Sequence, residues 1–488
     1  MSVGGRGQNS KGEATISTRA FNKFLILLPI GVLGVCIAAI AYFFRLDAKD
    51  PAEYEERVAL EQNIPTVEVK QMANSGTLTP GKGKPSALPG SWPQFRGPQR
   101  DGIARPQRKL AKTWPAGGPT ALWSVDLGPG HAGAAVHKGR VYVMDYDRTK
   151  EEDVVRCLSF DTGEEIWRYA YSASVKYNHG MSRTVSAVTD DYVVTLGPKC
   201  HVHCLKAATG ELVWKKDLVK ENGTVVPLWY GSQCPLIDGD KVILAPGAKP
   251  LMMAVELATG KVVWEANAPN MDGMTYSSIL PIEFKGQRQY VYWCNNGVVG
   301  VAAKDGKVLW TKPDWKIKDG NVPSPVWAGD DRLFFCGGYG VGACMVRLES
   351  GADGKITPKE LYRLKPAGFG SEQHTPIFYD GYLYGVDPRQ NNKTKMVCLN
   401  PANGQRVWTS GTDTNFDLGP YLICDGVILA LDGETGTLFM LQASSSGYKE
   451  LAKAKVLSGR FAWAPMALVE GRLLLRDETK MICLDLGA

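Results

Sequence analysis

One phrase recurs along this chain and restricts its fold more than any other feature. Cys157-Leu158-Ser159-Phe160-Asp161-Thr162-Gly163-Glu164-Glu165-Ile166-Trp167 returns as Thr209-Gly210 before Trp214, Thr259-Gly260 before Trp264, Asp305-Gly306 before Trp310 and Asn403-Gly404 before Trp408. Trp follows Gly by four residues each time, and the Trp residues are spaced by 47, 50 and 46 residues, then by 98, which is two repeats. A β-branched or aromatic run after a Gly or Asp turn precedes each phrase, from Arg140-Val141-Tyr142-Val143 to Arg472-Leu473-Leu474-Leu475, making eight units. Pro235, Pro281, Pro325, Pro376, Pro420 and Pro465 mark six of them.

Each unit reads as four short strands, with a Thr-Gly or Asn-Gly pair turning the chain into a Trp-bearing strand. One such sheet cannot bury both faces, whereas eight packed radially can, so the expected fold is an all-β, eight-bladed β-propeller. Trp123, Trp167, Trp214, Trp264, Trp310 and Trp408 are then structural residues covering the seams between blades. Two units, Leu348 to Tyr362 and Leu441 to Leu451, lack the Trp. The last unit stops at Cys483-Leu484-Asp485, one strand short, and Ala121-Leu122-Trp123-Ser124-Val125 is expected to supply that strand and close the ring.

Composition agrees: 54 Gly, 29 Pro and 13 Trp among 488 residues suit a turn-rich β protein, and 44% hydrophobic residues exclude a disordered chain. A net charge of +6 with no basic stripe leaves no nucleic-acid footprint. Of the 11 Cys, four recur before Leu at one repeat position (Cys157, Cys204, Cys398, Cys483), as small buried hydrophobes would.

Residues 24–44, Phe24 to Phe44, form an uncharged apolar run of 21 residues. As a helix this spans ~31 Å, one bilayer core. The run is long for a signal peptide, and an uncleaved anchor is favoured over cleavage near Ala39–Ala41. Arg6, Lys11, Arg19 and Lys23 precede it, so residues 1–23 are expected in the cytoplasm and everything beyond Arg45 outside. The expected organisation is a cytoplasmic segment (1–23), a transmembrane helix (24–44), a flexible tether (45–90) and the propeller (91–488). That makes a single-pass protein of the inner (cytoplasmic) membrane whose propeller faces the periplasm or the cell exterior.

The phrase x-Leu-x-x-x-Thr-Gly-x-x-x-Trp resembles the tryptophan-docking repeat of pyrroloquinoline-quinone-type (PQQ-like) propellers, which include quinoprotein dehydrogenases and BamB. Trp92-Pro93-Gln94-Phe95-Arg96-Gly97-Pro98, followed by Asp101-Gly102, resembles the lead-in of bacterial BamB-like repeat proteins. The resemblance implies a protein-interaction or scaffold module, in envelope or outer-membrane protein assembly as for BamB. The alternative is a PQQ-dependent oxidoreductase or a small-molecule-binding sensor. The enzyme class would imply adjacent cysteines, a calcium set of Glu, Asn and Asp, and often Cys-x-x-Cys-His. Neither cysteine motif occurs in the sequence, no catalytic set can be placed, and no cofactor is expected.

Propellers bind at the face formed by loops entering the innermost strands. Here those loops carry His131, His179, Arg183, Tyr230, Gln233, Tyr276, Glu372, His374 and Trp463, a polar and aromatic group whose readings are turn capping or a binding face. Cys200-His201-Val202-His203-Cys204 looks like a metal cluster, but alternation in a strand sends the His pair and the Cys pair to opposite faces, so no metal is expected.

Overall fold

Alternating apolar runs joined by Gly turns fold each repeat into an antiparallel sheet, and eight sheets of four or five strands result. The structure, a computed structural model, describes residues 76–488 apart from 107, 178–179, 317–319, 321, 388–392 and 412. Blades 1 to 8 begin with the innermost strands Ala135–His137, Ala187–Val188, Leu236–Asp238, Leu280–Phe284, Val326–Trp327, Ile377–Tyr379, Tyr421–Cys424 and Ala467–Val469. The expected transmembrane run 24–44 lies outside the described residues. Among the described residues no helix is long and apolar enough to cross a membrane.

The ring closes as the repeat implies. Thr120–Asp126 pairs antiparallel with Lys480–Asp485, Trp123 standing opposite Cys483, and completes blade 8 from the N-terminal side.

The Trp residues hold the seams by one repeated contact. Each indole Nε1 donates to a carbonyl of the next blade: Trp123 to Phe160 (3.1 Å), Trp167 to Ala207 (3.2 Å), Trp214 to Leu257 (2.7 Å), Trp264 to Ala303 (3.1 Å) and Trp408 to Ser444 (2.7 Å). The next blade's turn glycine lies flat on the ring. Gly306 has φ 74°, and a Cβ there would come within 2.6 Å of Trp264. Only glycine meets both demands, a left-handed backbone and no side chain.

The two units without Trp differ from each other. In blade 5 Tyr362 takes the place, opposite Met345, and its hydroxyl donates to Pro401 O of blade 6 at 3.1 Å. In blade 7 the place falls to Ala452, opposite Met440. Trp310 also departs, its Nε1 donating to Gln289 of its own blade at 3.0 Å. The recurring cysteines sit directly opposite this position and are fully buried, thiols intact.

The expected tether ends well before residue 90. Thr77–Pro80 pairs with Glu165–Ser172 as a fifth strand on the outer edge of blade 1, and Ser86 bonds Gly139 O and Asp161. A Gly/Pro/Lys-rich stretch cannot bury a core, but its main chain can satisfy an open strand edge.

Candidate functional site at the mouths of the propeller

The lower mouth is closed by the chain's own lead-in. Trp92 exchanges backbone hydrogen bonds with Val136 of blade 1, and Val188 N–H of blade 2 donates to Pro93 O. Ile103–Ala104 lies parallel to Ile423–Cys424 of blade 7. Between these anchors two arginines cross the axis. Arg96 Nη1 donates to Thr375 O (2.6 Å) and Nη2 to Pro376 O (2.9 Å) of blade 6, while Arg100 Nη1 donates to Pro235 O (3.3 Å) of blade 3. Burial lowers both guanidinium pKa values, that of Arg100 to about 10. The resemblance to a family lead-in marked this segment, but nothing in its residue spacing showed that it would stop the axis.

A polar belt lies above it. Val185 N–H donates to Cys234 Sγ (3.3 Å), Cys234 N–H to Ser278 Oγ (3.0 Å), Ser278 N–H to Ser324 Oγ (3.0 Å) and Ser324 N–H to Thr375 Oγ1 (2.8 Å). Each bond joins one blade to the next. Cys234, Ser324 and Thr375 each precede a proline, which holds them extended so that their N–H faces the neighbouring blade. A small polar residue before the repeat proline was the available signal.

The upper mouth collects most of the sequence-predicted residues, but not in one role. Gln233 is fully buried and its amide pairs with both backbone groups of Ala245, so it belongs to the wall rather than the face. His374 is half-buried, with Nε2 at 2.8 Å from Leu418 O, and burial pulls its pKa down to about 4. Glu372 packs against Gly338. His179 lies outside the described residues.

Two groups do form. His131 stacks on Trp463 (5.0 Å), which packs on Phe461 (4.8 Å) with Arg460 over the Phe461 ring (5.1 Å), and Trp463 Nε1 donates to Asp417 (2.9 Å). Beside it on blade 2, whose Ser182 O accepts from His131 N–H, Arg183 stands among Tyr177, Tyr230 and Tyr276, and burial lowers its pKa to about 10. Tyr276 meets Trp229 (5.6 Å), and Trp229 meets Tyr339 (6.5 Å) at the tip of the blade 5 hairpin.

The Cys-His cluster divides as alternation requires. His203 and His201 face Tyr171 of blade 1 (4.0 and 5.9 Å), whereas Cys200 and Cys204 face Met274 and Leu257 of blade 3. Among the described residues no three His, Cys, Asp or Glu side chains gather as a metal-holding group.

Sequence reasoning missed one buried group. Asp153 is fully buried, accepting from Ser182 Oγ (2.7 Å) and from the Tyr171 hydroxyl, with no cation bonded to it among the described residues. Burial raises its carboxyl to about 7, against about 3.9 in an unfolded chain. Between those values the native chain holds a proton that the unfolded chain has lost. Stability is therefore full below about pH 4 and falls as pH rises toward about 7. Asp153→Asn should flatten this slope when chemical unfolding is measured at about pH 4.5 and about pH 7.5. An unchanged difference between the two would refute the assignment.

Radial sheets, indole docking and a ring closed by both termini define an eight-bladed PQQ-like propeller. The chain belongs to the family described as outer membrane protein assembly factor BamB, whose pattern matches residues 150–410. Among solved structures, BamB from Moraxella catarrhalis is 14% identical with a TM-score of 0.53, over 75% of this chain and 99% of that one. The quinohemoprotein alcohol dehydrogenase ADHIIG from Pseudomonas putida HK5 is 12% identical with a TM-score of 0.55, over 82% and 80%. The computationally designed Ika8 protein is 10% identical with a TM-score of 0.50, over 75% and 99%. At such identities these likenesses establish the fold alone. No curated protein matches the sequence.

Proposed function

We propose that this protein is a single-pass, membrane-anchored scaffold whose propeller lies outside the cytoplasm and binds other proteins in envelope or outer-membrane protein assembly. Family membership over residues 150–410 carries the reading. The upper mouth supports it: His131, Trp463, Phe461 and Arg460 form an aromatic and cationic anchor of the composition that dominates protein interfaces. The basic flank before Phe24 supports the anchor and its direction. The scaffold works without a resident cofactor, and purified protein should show no quinone absorbance.

The test is photo-crosslinking in intact cells. A crosslinker at Arg460 should capture discrete protein partners, and one at Val262, on the outer strand of blade 3 and 49% exposed, should not. Equal capture from both positions, or from Val262 alone, would refute the upper mouth as the docking face. Reporter fusions at residue 60 should be active outside the cytoplasm, and activity inside would overturn the orientation.

A further inference from the structure

The stretch of the upper mouth over blades 1 to 5, which adjoins the His131 and Trp463 group, has a different chemistry. Five aromatic rings follow one another there: Tyr177, Tyr230, Tyr276, Trp229 and Tyr339. Tyr177 and Tyr339 are 49% and 45% exposed, and the other three are half-buried. Trp229 is inclined to Tyr276 by 39° and to Tyr339 by 31°, so the three rings are tilted rather than locked edge to face, and we read them as a shallow floor. Two phenol hydroxyls are fixed: the Trp229 backbone N–H donates to Tyr276 Oη (3.1 Å), and Tyr230 Oη donates to Lys176 O (2.8 Å).

The backbone holds this floor at a cost. Among the described residues, Tyr230, Tyr339 and Phe461 are the aromatic residues with positive φ (66°, 53° and 57°), and all three stand at the upper mouth. A bulky side chain in the left-handed region is an outlier that persists where the surroundings impose it. Gly320 already rests against two of the rings, since a Cβ there would meet Tyr339 at 2.7 Å and Trp229 at 3.3 Å.

The charges that lie over the rings are positive. Arg148 lies over Tyr177 (5.1 Å) and Lys199 over Tyr230 (5.5 Å), with Arg183 and Lys176 between them. The acids nearby are Asp147, Glu151 and Glu152 in the hairpin that carries Arg148 and Lys150, Glu478, which accepts from the Tyr177 hydroxyl, and Glu372 beside Gly338. A cationic ligand is disfavoured. The fit is to a flat ring with C–H groups on its faces, polar groups at its rim and a negative charge, because aromatic faces are electron-rich and attract C–H while the basic groups meet the anion.

We propose that this strip binds an acidic polysaccharide, whose pyranose faces lie on Trp229, Tyr276 and Tyr339 and whose acid groups meet Arg183, Lys199 and Arg148. The inference goes beyond the protein-docking reading and does not depend on it, since it rests on different side chains from Phe461 and Trp463, although the two groups adjoin through Tyr177, Glu478 and Arg460. The scaffold would then be held against an acidic glycan while the neighbouring Phe461 and Trp463 engage proteins.

The test is calorimetric titration of the full-length chain with four polymers: polygalacturonate, dextran sulfate, neutral dextran and polyglutamate. Binding of polygalacturonate or dextran sulfate but not of neutral dextran is expected, and which of the two binds tells a carboxylate glycan from a sulfated one. Affinity should fall several-fold between about 0.01 and about 0.15 M salt, as the screening length shortens from about 30 to about 8 Å. Trp229→Ala should weaken binding about tenfold or more, a loss of the size one anchoring contact can carry. Tyr339→Ala, at an exposed hairpin tip, should weaken it with an unchanged melting temperature, which keeps the test sound should Trp229→Ala fail to fold. Failure of both acidic glycans to bind overturns the proposal. So does equal binding of polyglutamate, which would mean charge alone is read and an acidic protein is the occupant, or a Tyr339→Ala variant that binds like the parent.

Discussion

Trp264→Ala should lower stability by about 3–5 kcal/mol, the usual cost of truncating a buried large aromatic. Trp264 is 7% exposed, donates from Nε1 to Ala303 O at 3.1 Å, stacks on Tyr290 at 6.1 Å and carries Gly306 on its face. Alanine would leave a cavity, leave the Ala303 carbonyl without its indole donor and free the blade 4 turn that rests on the ring. All three losses fall on one seam. The measurement is a thermal melt with denaturant unfolding, and a fall within about 0.5 kcal/mol, the range of ordinary surface changes, would show that the indole is not the seam's fastening. Gly306→Ala is the matching test from the other side, because its Cβ at 2.6 Å from the ring must push the blades apart. Tyr362→Phe should cost less than Trp264→Ala, since it removes one hydroxyl contact to Pro401 O and leaves the ring in place.

The period of the repeat made most of this legible, because a Gly turn and a Trp four residues later describe local backbone and a side chain of one size. Cys157, Cys204, Cys398 and Cys483 were readable as buried for the same reason. What could not be read was which segment lies across which. Thr77–Pro80 has no apolar alternation, and its four residues are all exposed, so only the edge it pairs with makes it a strand. Arg96 and Arg100 look like surface charges in a Pro- and Gly-rich stretch, and burial comes from carbonyls supplied by blades 3 and 6, far away in sequence. Gln233 and His374 were polar residues in the right loops, yet backbone groups of Ala245 and Leu418 engage them. A polar residue beside an inner strand has two outlets, solvent and the neighbouring main chain, and sequence does not distinguish them. Tyr230 and Trp229 show the reverse. They project because the insertion after the short helix Leu218–Asn222 lifts them, a loop feature without periodicity.

A chain starting at residue 127 should fail to form a stable monomer. Removing residues 1–126 takes away the outer strand of blade 8, along with the Thr77–Pro80 edge strand of blade 1, and leaves the six backbone positions Lys480–Asp485 as an open edge at the one place where the ring has no covalent continuity. Unpaired edges of this kind recruit other chains. The same deletion removes Trp123, 8% exposed and bonded to Phe160 O, and with it the fastening between blades 8 and 1. It also removes the lead-in, whose Arg96 and Arg100 tie blades 6 and 3 across the lower mouth. Three separate restraints on closure are lost together, so the expected product is aggregated or oligomeric and melts far below the parent. Size-exclusion chromatography with light scattering and a melting curve decide it. Two point variants divide the effect. Trp123→Ala keeps the strand and should remain a soluble monomer destabilised by about 3–5 kcal/mol. Arg96→Ala keeps both strand and indole, removes the donors to Thr375 O and Pro376 O, and should cost less than Trp123→Ala because the ring stays closed. A 127–488 chain that stays monomeric with the parent's melting temperature would mean that blade 8 is stable with three strands and that closure by the N-terminal strand is dispensable.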